Sequence, residues 1–319
     1  MENLLFSLNS TLPVFFVMVV GYILGRMGFI REEFCKGADK LVFKVTLPAM
    51  MIHDMYKIDL EHDFDMKYVG YCFAVTLIMI VVIWILAKLF MRDKSIVGEF
   101  VQGSYRSSAA VLGSAFLINI YGSTGMAPLM IIGSVPLFNA MAVVILTLEN
   151  PEQRSGLSGG ALAHKTLVGI VTNPIILGIL IGTLWNVIKL PMPVMIEKTL
   201  SSLSGLTTPL ALISIGAAFE GAQAIKLLKP TIIATSLKLV VLAAIFLPIA
   251  VWLGFTDQKL VALIIMLGSP STASGYVMAK NMGHRGVLAA SCVALTTFLS
   301  AFTLTFWLWL FKALGYIGG

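Results

Sequence analysis

Long apolar runs follow one another along most of the chain, and only short polar segments separate them. A helix needs about 20 mostly apolar residues to cross the hydrocarbon core of a bilayer. The pattern predicts about ten membrane spans, at approximately 8–29, 36–56, 67–90, 98–120, 124–147, 164–188, 194–218, 230–254, 259–281 and 286–312. The first run follows an acidic start and has no small-residue cleavage site after it, so we expect a first span and not a signal peptide.

The charges in the polar segments set the expected orientation. Basic residues are about twice as frequent in the loops after spans one, three, five, seven and nine as on the opposite side. The positive-inside rule assigns the richer side to the cytoplasm. We therefore expect a multi-pass protein of the cytoplasmic (cell) membrane with both termini outside the cytoplasm. A polar segment at 151–163 would be a short cytoplasmic linker between residues 1–150 and 164–319.

An internal repeat relates these two parts of the chain. Five residues of the first part recur in the second at one constant offset: Pro13, Gly21, Pro48, Ser108 and Gly122 correspond to Pro174, Gly182, Pro209, Ser269 and Gly283. Each part would hold five spans, and an odd number makes the second part enter the membrane from the other side. The predicted fold is an all-α membrane protein of two inverted five-helix repeats, a plan that many secondary transporters share.

Composition excludes several other classes of protein. The chain is 58% apolar and 12% charged, whereas soluble domains carry about 25% charged residues. The net charge of +6 is scattered along the loops, so we expect no nucleic-acid partner. Three distant cysteines and four distant histidines have no metal-ligand spacing. Because nucleotide motifs and catalytic constellations are also missing from the sequence, we expect neither a cofactor nor an enzyme.

Two stretches of small and polar residues interrupt spans four and nine at matching positions of the repeat, at 103–114 and 268–275. Pro270 removes a backbone donor from the second stretch. Inverted-repeat carriers bind their substrates where such interruptions free backbone groups near the midplane of the membrane. We therefore predict a substrate site there, with hydrogen bonds from Ser107, Ser108, Ser269, Ser271 and Thr272. The alternative is that small residues only let the helices pack closely.

These residues also carry a resemblance to a known family. The segments 41–48, 173–176 and 208–212 with Gly216, together with Pro270 to Ser274, Ala279-Lys280 and Gly283, resemble the auxin efflux carrier family over essentially the whole chain. The resemblance implies a sodium/proton-antiporter-like fold with broken, crossing helices four and nine. It further implies a scaffold of spans one, two, six and seven, a moving transport domain of the remaining spans, and organic anions as cargo.

The chain departs from the family pattern at three places. Ser107 and Ser108 stand where an asparagine is frequent, Ala115 replaces a proline, and Gly275 replaces a second proline typical of plant members. The long cytoplasmic insertion of many plant members is also missing from the sequence. The resemblance therefore points to a bacterial-type member and does not carry over plant-type substrate recognition.

Three basic residues fall inside predicted spans: Lys44, Arg106 and Lys238. Charges inside the membrane usually face protein or water and often serve function. Long side chains can also snorkel back to the membrane surface. We rank Lys44 first as a contact for an anionic substrate, because it lies one turn before Pro48 on the same helix face. Arg106, next to the span-four interruption, ranks second, and Lys238 has no neighbour to recommend it.

Other polar residues suggest weaker hypotheses. Asn139 in span five is a further candidate for substrate contact, or for a bond to a neighbouring helix. His53 and Asp54 end span two, where they either relay a proton or mark the edge of the water phase. Gly21-x-x-x-Gly25 and Gly178-x-x-x-Gly182 suit close helix packing or a homodimer face.

The sequence thus predicts a secondary carrier that moves small mono- or dicarboxylates by alternating access. H⁺ or Na⁺ would be the coupling ion, and the lipid bilayer would surround the protein. The halves of spans four and nine would present helix N-termini to the substrate carboxylate. An anion channel or potential-driven uniporter is the first alternative, and a membrane receptor or sensor is the alternative of another class.

Overall fold

The fold is all-helical throughout the part of the chain that the structure describes. The computed structural model describes residues 2–57, 65–150, 164 and 167–318, with side chains from residue 5 onwards. The helices are α1 (Glu2–Arg26), α2 (Glu32–Leu41), α3 (Leu47–Tyr56), α4 (Met66–Phe90), α5 (Val97–Tyr105), α6 (Ala109–Tyr121), α7 (Ala127–Leu148), α8 (Pro174–Ile188), α9 (Val194–Ala217), α10 (Gly221–Lys226), α11 (Leu228–Ser236), α12 (Leu242–Trp252), α13 (Asp257–Gly268), α14 (Ala273–Asn281) and α15 (Val287–Ala313). Residues 167–171 are also helical.

Within the described residues, six helical segments are long and apolar enough to cross a membrane, which confirms the prediction of an all-α membrane protein. They are Leu5–Arg26, Met66–Phe90, Ala127–Leu148, Val194–Ala217, Leu228–Trp252 and Val287–Ala313. The pair α13 and α14, bent by 41° at its break, adds a seventh candidate. The predicted count of ten stays a prediction, and the predicted linker at 151–163 lies outside the described residues.

Two of the predicted spans contain π-helical turns. Val42–Thr46 joins α2 to α3, and Leu237–Val241 joins α11 to α12. Pro48 follows the first turn closely and has no N–H to offer the carbonyl four residues earlier, which favours a local change of helix type. In the second turn, the indole Nε1 of Trp307 donates to the carbonyl of Leu239 at 3.0 Å. A side chain thus replaces part of the hydrogen bonding that the turn disturbs.

Among the helix pairs that glycines bring into unusually close contact, two are related to each other by the repeat. A Cβ atom at Gly21 would lie 2.4 Å from the carbonyl oxygen of Ile213, so α1 and α9 touch backbone to backbone. A Cβ atom at Gly182 would lie 2.7 Å from the carbonyl oxygen of Ile52, between α8 and α3. Both G-x-x-x-G segments therefore pack within the chain.

The apolar core divides into two clusters. One cluster is built mainly from α4 to α7 with α12, α13 and α15. The other joins α1, the π-helical turn Val42–Thr46, α3, α8 and α9 to residues of α7, α14 and α15. Of the interrupted helices, α5, α6 and α13 belong to the first cluster and α14 to the second, and the candidate site lies where the two clusters meet.

Candidate functional site

Two helix interruptions meet at the centre of the fold, within the stretches singled out in the sequence. The first lies at 106–108, between α5 and α6, and the second at 269–272, between α13 and α14. The Ser108 N–H donates to the Pro270 carbonyl at 2.9 Å, and the Ser271 hydroxyl donates to the Gly103 carbonyl at 2.7 Å. Backbone groups that the breaks would leave unpaired therefore bond across the crossing.

Arg106 projects from the first interruption and is buried. Its guanidinium donates from Nε to Thr272 Oγ1 at 3.0 Å and from Nη1 to Met278 Sδ at 3.1 Å. Nη2 donates to Asn139 Oδ1 and to Ser274 Oγ, each at 2.9 Å. All of these partners are neutral. Among the described residues, no carboxylate lies within 4 Å of the guanidinium, so the structure holds a full positive charge without an acidic partner.

A cavity of about 230 Å³ lies against Arg106. The interrupted helices and α7 form one wall, and α1, α3 and α9 contribute the other. Arg106 and Asp54 are the charged side chains in its lining, and most of the remaining surface is apolar. A small ligand can thus be enclosed between the two apolar clusters.

Two helices start at this cavity. Ser108 precedes α6 and Thr272 precedes α14, and neither side chain accepts a bond from its own helix. The first amide groups of a helix have no acceptor within that helix, and their aligned dipoles give its N-terminus a partial positive charge. Together with Arg106, they make this end of the cavity suitable for an anion.

Most residues predicted for the site lie together. The cavity lining includes the following predicted residues: Arg106, Ser107, Ser108, Asn139, Pro270, Ser271 and Thr272. Ser269 is fully buried behind the lining, where its hydroxyl bonds to that of Ser107. Lys44 is exposed on the π turn before α3 and does not belong to the lining.

Two buried charges hold the broken helices in place: Glu99, which the sequence did not single out, and Lys238, for which the sequence suggested no partner. Glu99 on α5 accepts the Gly286 N–H at 2.8 Å and the Ala289 N–H at 3.0 Å, at the start of α15. Lys238 donates to the carbonyls of Met266 and Leu267, at the end of α13. Each charge thus meets the helix end of opposite polarity. The only sequence signal was a single charge within an apolar run.

Ser274, Thr207 and Asp54 are among the lining residues that were not assigned to the site from sequence. Ser274 bonds to Arg106, and Thr207 on α9 has a buried hydroxyl without a hydrogen-bond partner. Asp54 on α3 is half-buried and was weighed only as a residue at the edge of the water phase. Contacts of this kind join residues far apart in the chain, so local sequence patterns do not reveal them.

Comparison with known proteins gives a consistent result. Residues 6–308 match the family model described as membrane transport protein. An uncharacterized transporter from the archaeon Methanothermobacter thermautotrophicus is 23% identical over 308 residues, which cover 94% of this chain and 97% of the relative. The uncharacterized transporter YfdV of Escherichia coli is 23% identical over 288 residues, covering 87% of this chain and 89% of the relative.

Proposed function

The chain belongs to the membrane transport protein family, which confirms the resemblance to auxin efflux carriers, and we propose that it is a secondary carrier of small organic anions. Its cargo would be mono- or dicarboxylates. It would work by alternating access across the cytoplasmic membrane.

The buried, unpaired charge of Arg106 is the observation that carries this proposal. Placing a cation inside a membrane protein costs free energy, so such a residue usually has a counter-charge or serves a function. Here four hydrogen bonds to neutral groups hold the guanidinium beside a cavity and beside the N-termini of α6 and α14. A bound carboxylate would supply the missing negative charge.

The polar groups of the lining suit a small carboxylate. The Ser108 hydroxyl and the first amides of α6 and α14 are available donors, and Arg106 retains one N–H at Nη1 beyond its four bonds. Thr207 on α9, in the wall opposite Arg106, offers a further hydroxyl. We assign the substrate contact to Arg106, while Lys44 would act only as an attracting charge at the cytoplasmic entrance.

The arrangement of the helices supports alternating access. The cavity lies between a wall formed by α1, α3 and α9 and a wall formed by the interrupted helices and α7, so movement of one set of helices relative to the other would change the side on which the cavity opens. The constant offset relates the close pair of α1 and α9 to the pair of α8 and α3, and both pairs use glycine for close contact. This supports two inverted repeats at 1–150 and 164–319, with a cytoplasmic linker at 151–163. A homodimer would need a surface other than these glycines.

Binding by the purified carrier would test the site directly. The panel consists of malonate, malate, succinate, lactate and indole-3-acetate, measured by calorimetry at pH 6. Arg106→Gln should weaken binding about 10- to 100-fold, since a hydrogen bond to a charged group contributes about 1.5–3 kcal/mol. Lys44→Gln is the matched control and should bind as the wild type does. Unchanged binding by Arg106→Gln would overturn the proposal.

Transport by reconstituted protein separates the carrier from its alternatives. In proteoliposomes, a carrier accelerates uptake of labelled anion when unlabelled anion is trapped inside, and its rate saturates. A channel would show no such counterflow. A potential-driven uniporter would show counterflow, but its net uptake would respond to the membrane potential and not to a gradient of H⁺ or Na⁺. A receptor or sensor would bind the anion without any flux. Gradients of H⁺ and of Na⁺, applied separately, identify the coupling ion.

A further inference from the structure

Asp54 places a carboxylate in the same cavity as Arg106. Leu47, Met50, Met51 and Asp54 follow helical spacing along α3, and all four line the cavity. The carboxylate therefore ends an otherwise apolar stripe that faces the site. Its half-buried side chain makes no ion pair with Arg106, because the two groups do not approach within 4 Å.

Among the described residues, Asp54 has no strong fixed partner. On its own helix, His53 Nδ1 lies 3.8 Å from Asp54 Oδ1. Lys57 is one turn further on and is paired with Glu197 of α9 at 3.1 Å. Between Pro174 and Ile188, α8 has no charged residue, and α1 contributes only Ser10, Thr11 and Val14 to the lining. Arg106 is thus the charged group that faces Asp54 across the cavity.

The charge balance of the cavity then depends on whether Asp54 is ionised. With an ionised carboxylate, the cavity charges of Asp54 and Arg106 cancel, and an entering anion gains little attraction. When the carboxylate takes up one proton to become a carboxylic acid, the net charge becomes positive. The same step removes the repulsion between Asp54 and the anion.

We propose that Asp54 is the proton-binding residue of this carrier, so that one proton and one organic monoanion bind the cavity together. This inference rests on the proposed function. In the transport step the anion and the proton cross together, no net charge moves, and on release Asp54 returns its proton to water. Asp54 acts by binding the coupling proton, and the anion itself is held by Arg106 and the helix N-termini.

The pH dependence of binding tests this inference. L-lactate and indole-3-acetate are suitable probes, since a simple carboxyl group stays ionised at both pH 6 and pH 8. With one linked proton, affinity of the wild type should fall about tenfold per pH unit, or about a hundredfold between these values. Asp54→Asn, a neutral isostere, should bind with equal affinity at both. Asp54→Glu, which still titrates, should keep the dependence.

Two control variants separate Asp54 from its neighbours. His53→Gln removes the adjacent titratable group, and Glu197→Gln removes an acid that does not line the cavity. Both should keep the hundredfold dependence. The inference is overturned if Asp54→Asn keeps it as well. It is also overturned if Asp54→Asn loses binding at every pH while Asp54→Glu binds, because the carboxylate would then be accepting a hydrogen bond from the lactate hydroxyl or the indole N–H and not binding a proton.

Proton movement in the wild type gives a second readout that needs no variant. In proteoliposomes loaded with a pH-sensitive dye, uptake of lactate should acidify the interior by about one proton per anion and produce no net current. An electrogenic uptake without proton entry would refute the role of Asp54 and leave the carrier intact. Absence of anion binding by the wild type, or unchanged binding by Arg106→Gln, would instead refute the proposed function.

Discussion

At the scale of single residues, the site depends on how Arg106 is kept charged inside the membrane. Its partners are a hydroxyl pair, an amide and a thioether, and the amide is itself oriented because Asn139 Nδ2 donates to the Val135 carbonyl at 3.0 Å. Neutral dipoles can hold a charge in place without cancelling it. The guanidinium therefore stays available to an anion, which a salt bridge would have prevented.

Ser108 provides a way to probe the ligand without disturbing the crossing. Its hydroxyl lines the cavity and donates to no described group, whereas the Ser271 hydroxyl is occupied by the Gly103 carbonyl. Ser108→Ala should weaken anion binding about fivefold, the effect of one hydrogen bond of about 1 kcal/mol, and leave the melting temperature unchanged. Ser271→Ala should lower both the affinity and the melting temperature. Calorimetry and thermal unfolding in detergent measure the two effects, and a stability loss in Ser108→Ala would contradict this assignment.

Glu99 illustrates a buried charge with a structural role. Both carboxylate oxygens accept backbone N–H groups at the start of α15. Glu99→Gln keeps the size of the side chain but turns an N–H donor toward one of these N–H groups. We expect about 2 kcal/mol of lost stability, seen as a lower melting temperature. Glu197→Gln breaks a partly exposed ion pair and should change stability by less than about 1 kcal/mol; equal losses in both variants would refute the capping role.

At the scale of elements, the packing of α1 against α9 depends on space that only glycine provides. A Cβ atom at Gly216 would lie 2.0 Å from the Met18 carbonyl oxygen, while a Cβ atom at Gly205 on the same helix meets nothing within 4 Å. Gly216→Ala should separate the helices and cost about 1–3 kcal/mol. Gly205→Ala should be neutral or stabilise α9 by up to about 1 kcal/mol. Thermal unfolding compares the two, and equal effects would mean that the contact contributes nothing.

The sequence predicted unbroken helices better than interrupted ones. The predicted spans 67–90 and 194–218 differ by at most one residue at either end from Met66–Phe90 and Val194–Ala217. These are continuous apolar runs whose ends are set by the change to polar residues. The second span was placed at 36–56, but its helix begins at Glu32 and contains a π turn. Hydrophobicity does not register such a turn, because it changes hydrogen bonding and not composition.

The part of the candidate site that shows in the composition of the chain could be predicted, and the part that depends on tertiary contacts could not. The repeat located both interruptions, since stretches of small residues occupy matching positions, although Pro270 in the second stretch has Ala109 as its counterpart in the first. The sequence did not show which of the cations lies beside the cavity: Lys44 ranked before Arg106, but only Arg106 belongs to the lining. Lys44 and Arg106 have similar depth in the sequence, and only the tertiary contacts of Arg106 with Asn139 and Thr272 distinguish them. Glu99 was not singled out, and Lys238 was considered but given no partner, because the partners of both are backbone groups of distant helices.

At the scale of the whole molecule, the inverted repeat makes a firm prediction about topology. Five spans in each half place the two termini on one side of the membrane and the segment at 151–163 on the other. The distribution of basic residues assigns the termini to the outside. Reporters inserted in the segment 155–160 and fused after Ile317 distinguish the possibilities. Alkaline phosphatase, active only outside, should be active at the C-terminus and inactive in the segment; a green fluorescent protein should behave in the opposite way.

The result of the reporter experiment bears on the mechanism, because each topology implies a different orientation of the two halves relative to each other. If both positions reported the same side, the second half would hold an even number of spans, and the two halves would be parallel rather than inverted. The N-termini of α6 and α14 would then enter the membrane in the same direction. In the inverted arrangement they approach the cavity from opposite directions, which lets the carboxylate bind between two positive helix ends whichever side is open. The topology measurement therefore tests the symmetry on which alternating access is proposed to depend.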